Sequence, residues 1–225
     1  MSWLLNSSIG RKFIMALSGC FLILFLLFHM SMNLVAIISM EAYQAICTFL
    51  GINWYAIVGT LILGGGCVVH VLYATLLTLQ NRKARGGDVY ASSNLTPTEW
   101  SSKNMYVLGI VIVAFLALHL YDFWYKMQFS ELLHLETMVE AEQIGEHMAE
   151  LFAQPVRVAL YLIGIIALWF HLTHGFWSMF QTSGLNGRTW MPRLKCIGNI
   201  VATLICLGFA AVPVFFLAKH MLCGA

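Results

Sequence analysis

The sequence predicts an all-α integral membrane protein, a bundle of five transmembrane helices, and three observations predict it. Of its 225 residues, 60% are hydrophobic and only 10% charged, with a mean hydropathy of +0.80, whereas a soluble domain carries charge on about a quarter of its residues. Five apolar segments are each long enough to cross about 30 Å of hydrocarbon at about 1.5 Å per residue. The charged residues between those segments sort by sign from one connection to the next. The net charge of +2 is too small and too dispersed to point to nucleic acid.

The first segment, 12–39, follows Arg11 and Lys12. It is too long for the apolar core of a signal peptide and lacks a small-residue cleavage site, so it is expected to stay as a spanning helix. A short linker around Glu41 leads to the second segment, 54–80. A polar loop, 81–103, contains the chain's one extended Gly-, Ser-, Asn- and Thr-rich stretch (86–102) and leads to the third, 104–127. An acidic loop, 128–154, follows; in it Ile144, Met148 and Leu151 recur at helical spacing opposite the glutamates, which fits either a short amphipathic helix on the membrane surface or a solvated acidic loop. The fourth segment, 155–181, and the fifth, 198–219, are joined by a Gly-, Arg- and Lys-bearing loop, 182–197. Residues 1–225 thus form a single membrane domain.

Arg11, Lys12, Arg82, Lys83, Arg85, Lys103, Arg188, Arg193 and Lys195 fall on one side, which the positive-inside rule assigns to the cytoplasm. Lys126, Arg157 and Lys219 lie opposite, together with Glu131, Glu136, Glu140, Glu142, Glu146 and Glu150. The N-terminus is therefore expected inside and the C-terminus outside. Six cysteines (Cys20, Cys47, Cys67, Cys196, Cys206, Cys223) form no C-x-x-C pair, and Cys20, Cys67 and Cys206 sit within apolar segments as small hydrophobes. Neither a disulfide framework nor a zinc site is implied, and without C-x-x-C-H a haem would be held by axial ligands alone.

Ionisable residues inside a membrane are costly and usually functional. Four of the helices carry a histidine well inside: His29, His70, His119 and His171, with His174 a turn beyond the last. Each of the four stands about 15 to 17 residues, roughly 22 to 25 Å, from the start of its helix. Because successive helices run in opposite directions, His29 and His119 share a depth near the outer face, and His70 and His171 share one near the cytoplasm. Two imidazoles facing across a bundle interior are the arrangement that ligates haem iron from both sides and leaves no open position for oxygen. A lone intramembrane histidine is often a hydrogen-bonded packing residue; two pairs at matched depths are harder to assign to packing.

A di-iron or zinc centre would need Glu-x-x-His or His-Glu-x-x-His spacing within the helices, and the sequence has none. Gly66 lies four residues before His70 and Gly175 four after His171, with Gly64 and Gly65 nearby. These positions fit a flat macrocycle against the backbone or, equally, close helix packing. Phe115 and Phe123 flank His119. His171 matches His70 in depth better than His174 does, which leaves His174 to hydrogen-bond a haem propionate, a quinone or a neighbouring backbone group. His134 and His147 belong to the acidic loop and are expected to be solvated; His220 ends the last helix.

These residues resemble the dihaem cytochrome b membrane-anchor subunit of succinate:quinone oxidoreductases and quinol:fumarate reductases, the type with one large anchor. The resemblance spans nearly the whole chain and rests on S-G-C-F-L-I-L-F-L-L-F-H from Ser18 to His29, the Gly-rich stretch ending at His70, His119, and F-H-L-T-H-G from Phe170 to Gly175. It implies two haems b, an outer one on His29 and His119 and an inner one on His70 and His171, and it favours His171 as the histidine followed four residues later by Gly. It also implies a bacterial inner membrane, an iron-sulfur subunit and an FAD-bearing flavoprotein on the cytoplasmic side, electron exchange with menaquinone, and possible dimers of heterotrimers. Some members carry a glutamate two residues before the fourth-helix ligand, proposed to move protons; here that position is Trp169. For quinone protonation the candidates are Glu41 and Asp122, carboxylates near the outer interface that could equally be solvated or helix-capping.

Electron transfer between two depths responds to the membrane potential at about 2.3 kcal/mol per charge per 100 mV. Two rivals stand beside this reading: the haem b anchor of a hydrogenase or nitrate reductase type of complex, and a haem-free transporter or scaffold whose histidines bind ions or relay protons.

Overall fold

The computed structural model describes residues 7–51, 53–85, 100–136, 138–185 and 187–223, and among these all regular structure is helical. Five helices are long and apolar enough to cross a membrane. The first is α1 (Ser8–Ile38). It starts where the Ser7 hydroxyl accepts the Gly10 N–H at 2.9 Å, and it ends where Ser39 turns extended, with φ −151° and ψ 113°.

Ser39 then opens a second helix rather than a linker. Its hydroxyl accepts the Ala42 N–H at 3.2 Å and caps α2 (Met40–Phe49), which places Glu41 in the first turn, where a negative charge suits the helix dipole. The sequence expectation of a linker failed here because one serine both ends α1 and starts α2.

The next spanning helix, α3 (Trp54–Arg85), outruns its apolar core at the basic end. The expected polar stretch 86–102 lies outside the described residues except at its end, where α4 (Trp100–His119) begins. Immediately after His119 the backbone widens into a π-helix, Leu120–Phe129, before one closing turn, Ser130–Leu132. Such widened turns re-aim side chains and recur at functional sites. Then come a 3-10 turn (Ala141–Gln143), α5 (Ile144–Phe152), α6 (Pro155–Met179) with proline at its first position, and α7 (Trp190–Cys223).

Of the two expectations for 128–154, the helix is present, and its apolar face turns to the rest of the bundle. Ile144, Met148, Leu151 and Phe152 are buried against Ala36, Tyr43, Val158, Tyr161, Val212 and Phe216, so α5 plugs the acidic-loop end of the bundle. The spacing showed the apolar face; the partner it covers is long-range. A second core joins Ile23, Ile165, Leu172, Ala202, Ile205 and Cys206 toward the other end.

Helices α6 and α7 pack along each other, α4 packs on α6, and α1 packs on α7 and α3. Helix α3 is peripheral: it leans on α1, touches α4 lightly, and has no buried residue among its described side chains. Its stripe of Val58, Leu61, Ile62, Val68, Leu72, Leu76 and Leu79 is exposed, as expected of a face turned to lipid.

Candidate functional site

Helices that run in the same sense, the first span with the third and the second with the fourth, bring the histidines together in the two couples that depth implied. The His29 and His119 rings lie with centroids 5.8 Å apart and planes at 78°. Those of His70 and His171 lie 6.3 Å apart at 61°. A metal ion sits about 2 Å from a coordinating imidazole nitrogen, and that nitrogen about 1 Å from its ring centre, so two rings gripping one ion have centres about 6 Å apart. Both couples meet that spacing, and the angle between planes is free because each ring can turn about its metal–nitrogen bond. Among the described residues no group of three or more His, Cys, Asp or Glu side chains gathers, so each couple offers a metal two imidazoles.

The couple nearer the basic loops, His70 with His171, is fixed by α1. The Ser18 hydroxyl donates to the Met15 carbonyl at 3.0 Å, and Ser18 Oγ lies 3.2 Å from His70 Nδ1. With its own proton committed to Met15, Ser18 accepts the Nδ1 proton of His70. This tautomer leaves the Nε2 lone pair for a metal. A Cβ at Gly19 would stand 3.4 Å from His70 Cε1, an ordinary contact, so the approach does not depend on that glycine. Across from His70, His171 Nδ1 is buried with no hydrogen-bond partner, a cost of about 1–3 kcal/mol that a bound group would relieve.

The glycines divide. A Cβ at Gly66 would come within 2.8 Å of the Phe21 ring, so Gly66 serves the packing of α3 on α1, whereas Gly64, Gly65 and Gly175 have nothing within 4 Å. One turn beyond His171, the His174 ring meets Trp177 edge-on at 4.7 Å, and Lys195 Nζ stands 4.6 Å from the same indole. Trp169 turns to α7 and donates to Thr203 Oγ1 at 3.0 Å.

The couple nearer the acidic loop, His29 with His119, is walled by rings. Phe25 stacks on His29 at 5.3 Å, Phe209 tilts against it at 5.6 Å, and Phe115, Phe123 and Tyr161 surround His119 at 6.1, 5.3 and 6.1 Å. Gly164 lets Phe115 in: a Cβ there would lie 2.3 Å from that ring. The Asn33 amide donates to the His29 carbonyl at 2.8 Å, so its longer approaches to the ring nitrogens, 3.3 and 3.5 Å, leave the tautomer of His29 unfixed.

Below His119 the π-helix turns Asp122 inward until it is 1% exposed. Asp122 Oδ2 accepts the Tyr161 hydroxyl at 3.0 Å, and Oδ1 pairs with Arg157 Nη1 at 3.5 Å. His147, expected to be solvated, is half-buried instead, with Nε2 2.8 Å from the Asp122 carbonyl oxygen. The packing of α5 against the bundle draws it in. Glu41 stands apart and exposed on α2, and His134 is exposed as expected.

Sequence reasoning missed Ser18, Tyr161 and the pairing of Asp122 with Arg157. Ser18 is 52 residues from His70, with no local signal. The ion pair did have one: a lone acid late in the third segment and a lone base at the start of the fourth meet at one depth in an up-and-down bundle.

Among known proteins, the chain is similar to the succinate dehydrogenase cytochrome b558 subunit of Bacillus subtilis (strain 168): 21% identical over 190 residues, covering 84% of this chain and 85% of that protein. No family model matches the chain, and no solved structure matches it.

Proposed function

From that likeness and from the two histidine couples, we propose that this chain is the membrane-anchor cytochrome b subunit of a succinate dehydrogenase or fumarate reductase. It holds two haems b, the outer on His29 and His119 and the inner on His70 and His171. The observation that carries the proposal is the pair of ring separations, 5.8 and 6.3 Å, each fitting one ion gripped from both sides. When bound, the haems supply one-electron transfer between an iron-sulfur subunit and menaquinone, and succinate chemistry belongs to a flavoprotein partner.

The residues of this chain bind, orient and insulate. Ser18 fixes the tautomer of His70; the rings of Phe25, Phe115, Phe123 and Phe209 exclude water from the outer couple. The partner subunits dock at the basic end, on the cytoplasmic side of a bacterial inner membrane, and the acidic end faces outward with the C-terminus. There a groove of about 400 Å³, lined by Ala36, Ile37, Met40, Gln44, Phe215, Phe216 and Lys219 among others, opens beside the helix that bears Glu41. Its lining also includes Glu142 and Glu146, so a quinone seated there meets an apolar wall on one side and Gln44, Glu142, Glu146 and Lys219 on the other. Glu41 is exposed and can exchange protons with water, so we assign it the proton exchange with quinone. Asp122 could do the same only by leaving Arg157, and its role is taken up below.

The test is purification of the chain with its natural partners from detergent-solubilised membranes. A flavoprotein and an iron-sulfur protein should accompany it, and succinate should reduce both haems and then an added menaquinone analogue. Partners that instead oxidise hydrogen or reduce nitrate would move the chain to the rival class of haem b anchors. Absence of haem would leave a transporter or scaffold.

A further inference from the structure

The two couples have different electrostatic surroundings. No Asp, Glu, Lys or Arg side chain is buried beside the inner couple among the described residues, whereas the outer couple has Asp122, 1% exposed, three residues along the chain from His119. Among the described residues its cationic partner is Arg157, whose side chain is 26% exposed. The two charges are therefore unequally enclosed, the carboxylate within the packed interior and the guanidinium partly outside it. Tyr161 ties the carboxylate to the couple: its ring packs edge-on against His119 at 6.1 Å, and its hydroxyl donates to Asp122 Oδ2 at 3.0 Å. His147 holds the backbone at the same residue through the Asp122 carbonyl. A buried acid whose carboxylate meets Arg157 and Tyr161 and whose backbone carbonyl meets His147 is held in one position next to the couple.

Resting on the two-haem reading above, we propose that Asp122, held by Arg157 and Tyr161, is a positioning residue that sets the outer haem's reduction potential, keeping it lower than the aromatic wall alone would give. The physical cause is simple. Oxidation adds a positive charge at the iron, and a nearby negative charge favours that state. The Arg157 guanidinium, partly outside the packed interior, offsets the field of the carboxylate at the couple only in part.

The experiment is a redox titration of the haem-loaded complex followed by absorbance, so that each haem gives its own wave. Asp122→Asn should raise the potential of the haem lost in His119→Ala by the equivalent of about tenfold in its one-electron equilibrium, which is about 59 mV, and leave the other haem within error of wild type. Asp122→Glu should hold the wild-type value. The double variant Asp122→Asn with Arg157→Gln, which leaves no unpaired charge, should rise in the same direction by less. If Asp122→Asn loads both haems with unchanged potentials, or moves both equally, the proposal is wrong. If neither Asp122→Asn nor the double variant retains the outer haem, Asp122 is a structural residue and the proposal is equally wrong. A wild-type complex without two haem waves would instead overturn the two-haem reading itself.

Discussion

The inner and outer couples share one geometry of facing imidazoles, yet they are built differently. The inner couple takes His70 from a peripheral helix with no buried residue among its described side chains and His171 from the packed α6, and is fixed by one hydrogen-bond relay, Met15 to Ser18 to His70, beside glycines that leave open space. The outer couple is enclosed by five aromatic rings and underlain by the buried carboxylate of Asp122, paired with a partly exposed Arg157. The lesson is that ligand identity sets what kind of centre each is, while the groups around it set how that centre differs from its twin.

Breaking a couple should have the largest effect. His29→Ala or His119→Ala should remove one haem, and His70→Ala or His171→Ala the other, each leaving the second b-type absorbance in place. Haem quantification per chain checks this, and a crossed pattern of losses would break the pairing. His174→Ala should retain both.

Glycine substitutions sharpen the comparison at intermediate size. Gly164→Val must displace Phe115 from the wall of the outer couple, an overpacking cost of about 1–3 kcal/mol, visible as a lower melting temperature and reduced outer haem. Gly175→Ala adds a Cβ that meets nothing within 4 Å, so it should leave the fold intact, and a selective loss of inner haem would report the macrocycle itself. Equal effects at the two glycines would remove the distinction between a packed and an open pocket.

The smallest effect concerns the relay. Ser18→Ala removes the acceptor that makes His70 a more basic ligand, so the inner haem's potential should rise by less than the about 59 mV that marks a tenfold change, with the outer haem unmoved. A redox titration in which only the outer haem responds would reverse the assignment of Ser18.

The spans and the couples were legible in the sequence because both follow from one-dimensional quantities: apolar length, and distance along helices that alternate in direction. The Glu41 linker was misjudged because a capping serine at 39 can start a helix as readily as end one. The packing partner of Ile144, Met148 and Leu151 was not legible because spacing reveals an apolar face but not what covers it. His147 was misjudged for the same reason. The π-helix after His119 leaves no mark in an apolar stretch, and it is this widening that carries Asp122 inward. Gly66 and Gly175 looked alike in sequence at four residues from a ligand, and only the position of Phe21 separates a packing glycine from an open one.

The central claim is that each couple grips one iron from both sides. The most direct measurement is a haem count per chain on the purified protein, taken with reduced-minus-oxidised spectra before and after carbon monoxide. The account predicts two haems b in two resolved components, neither altered by carbon monoxide because no axial position is open. One haem, no haem, or a component that binds carbon monoxide in the native protein would contradict it.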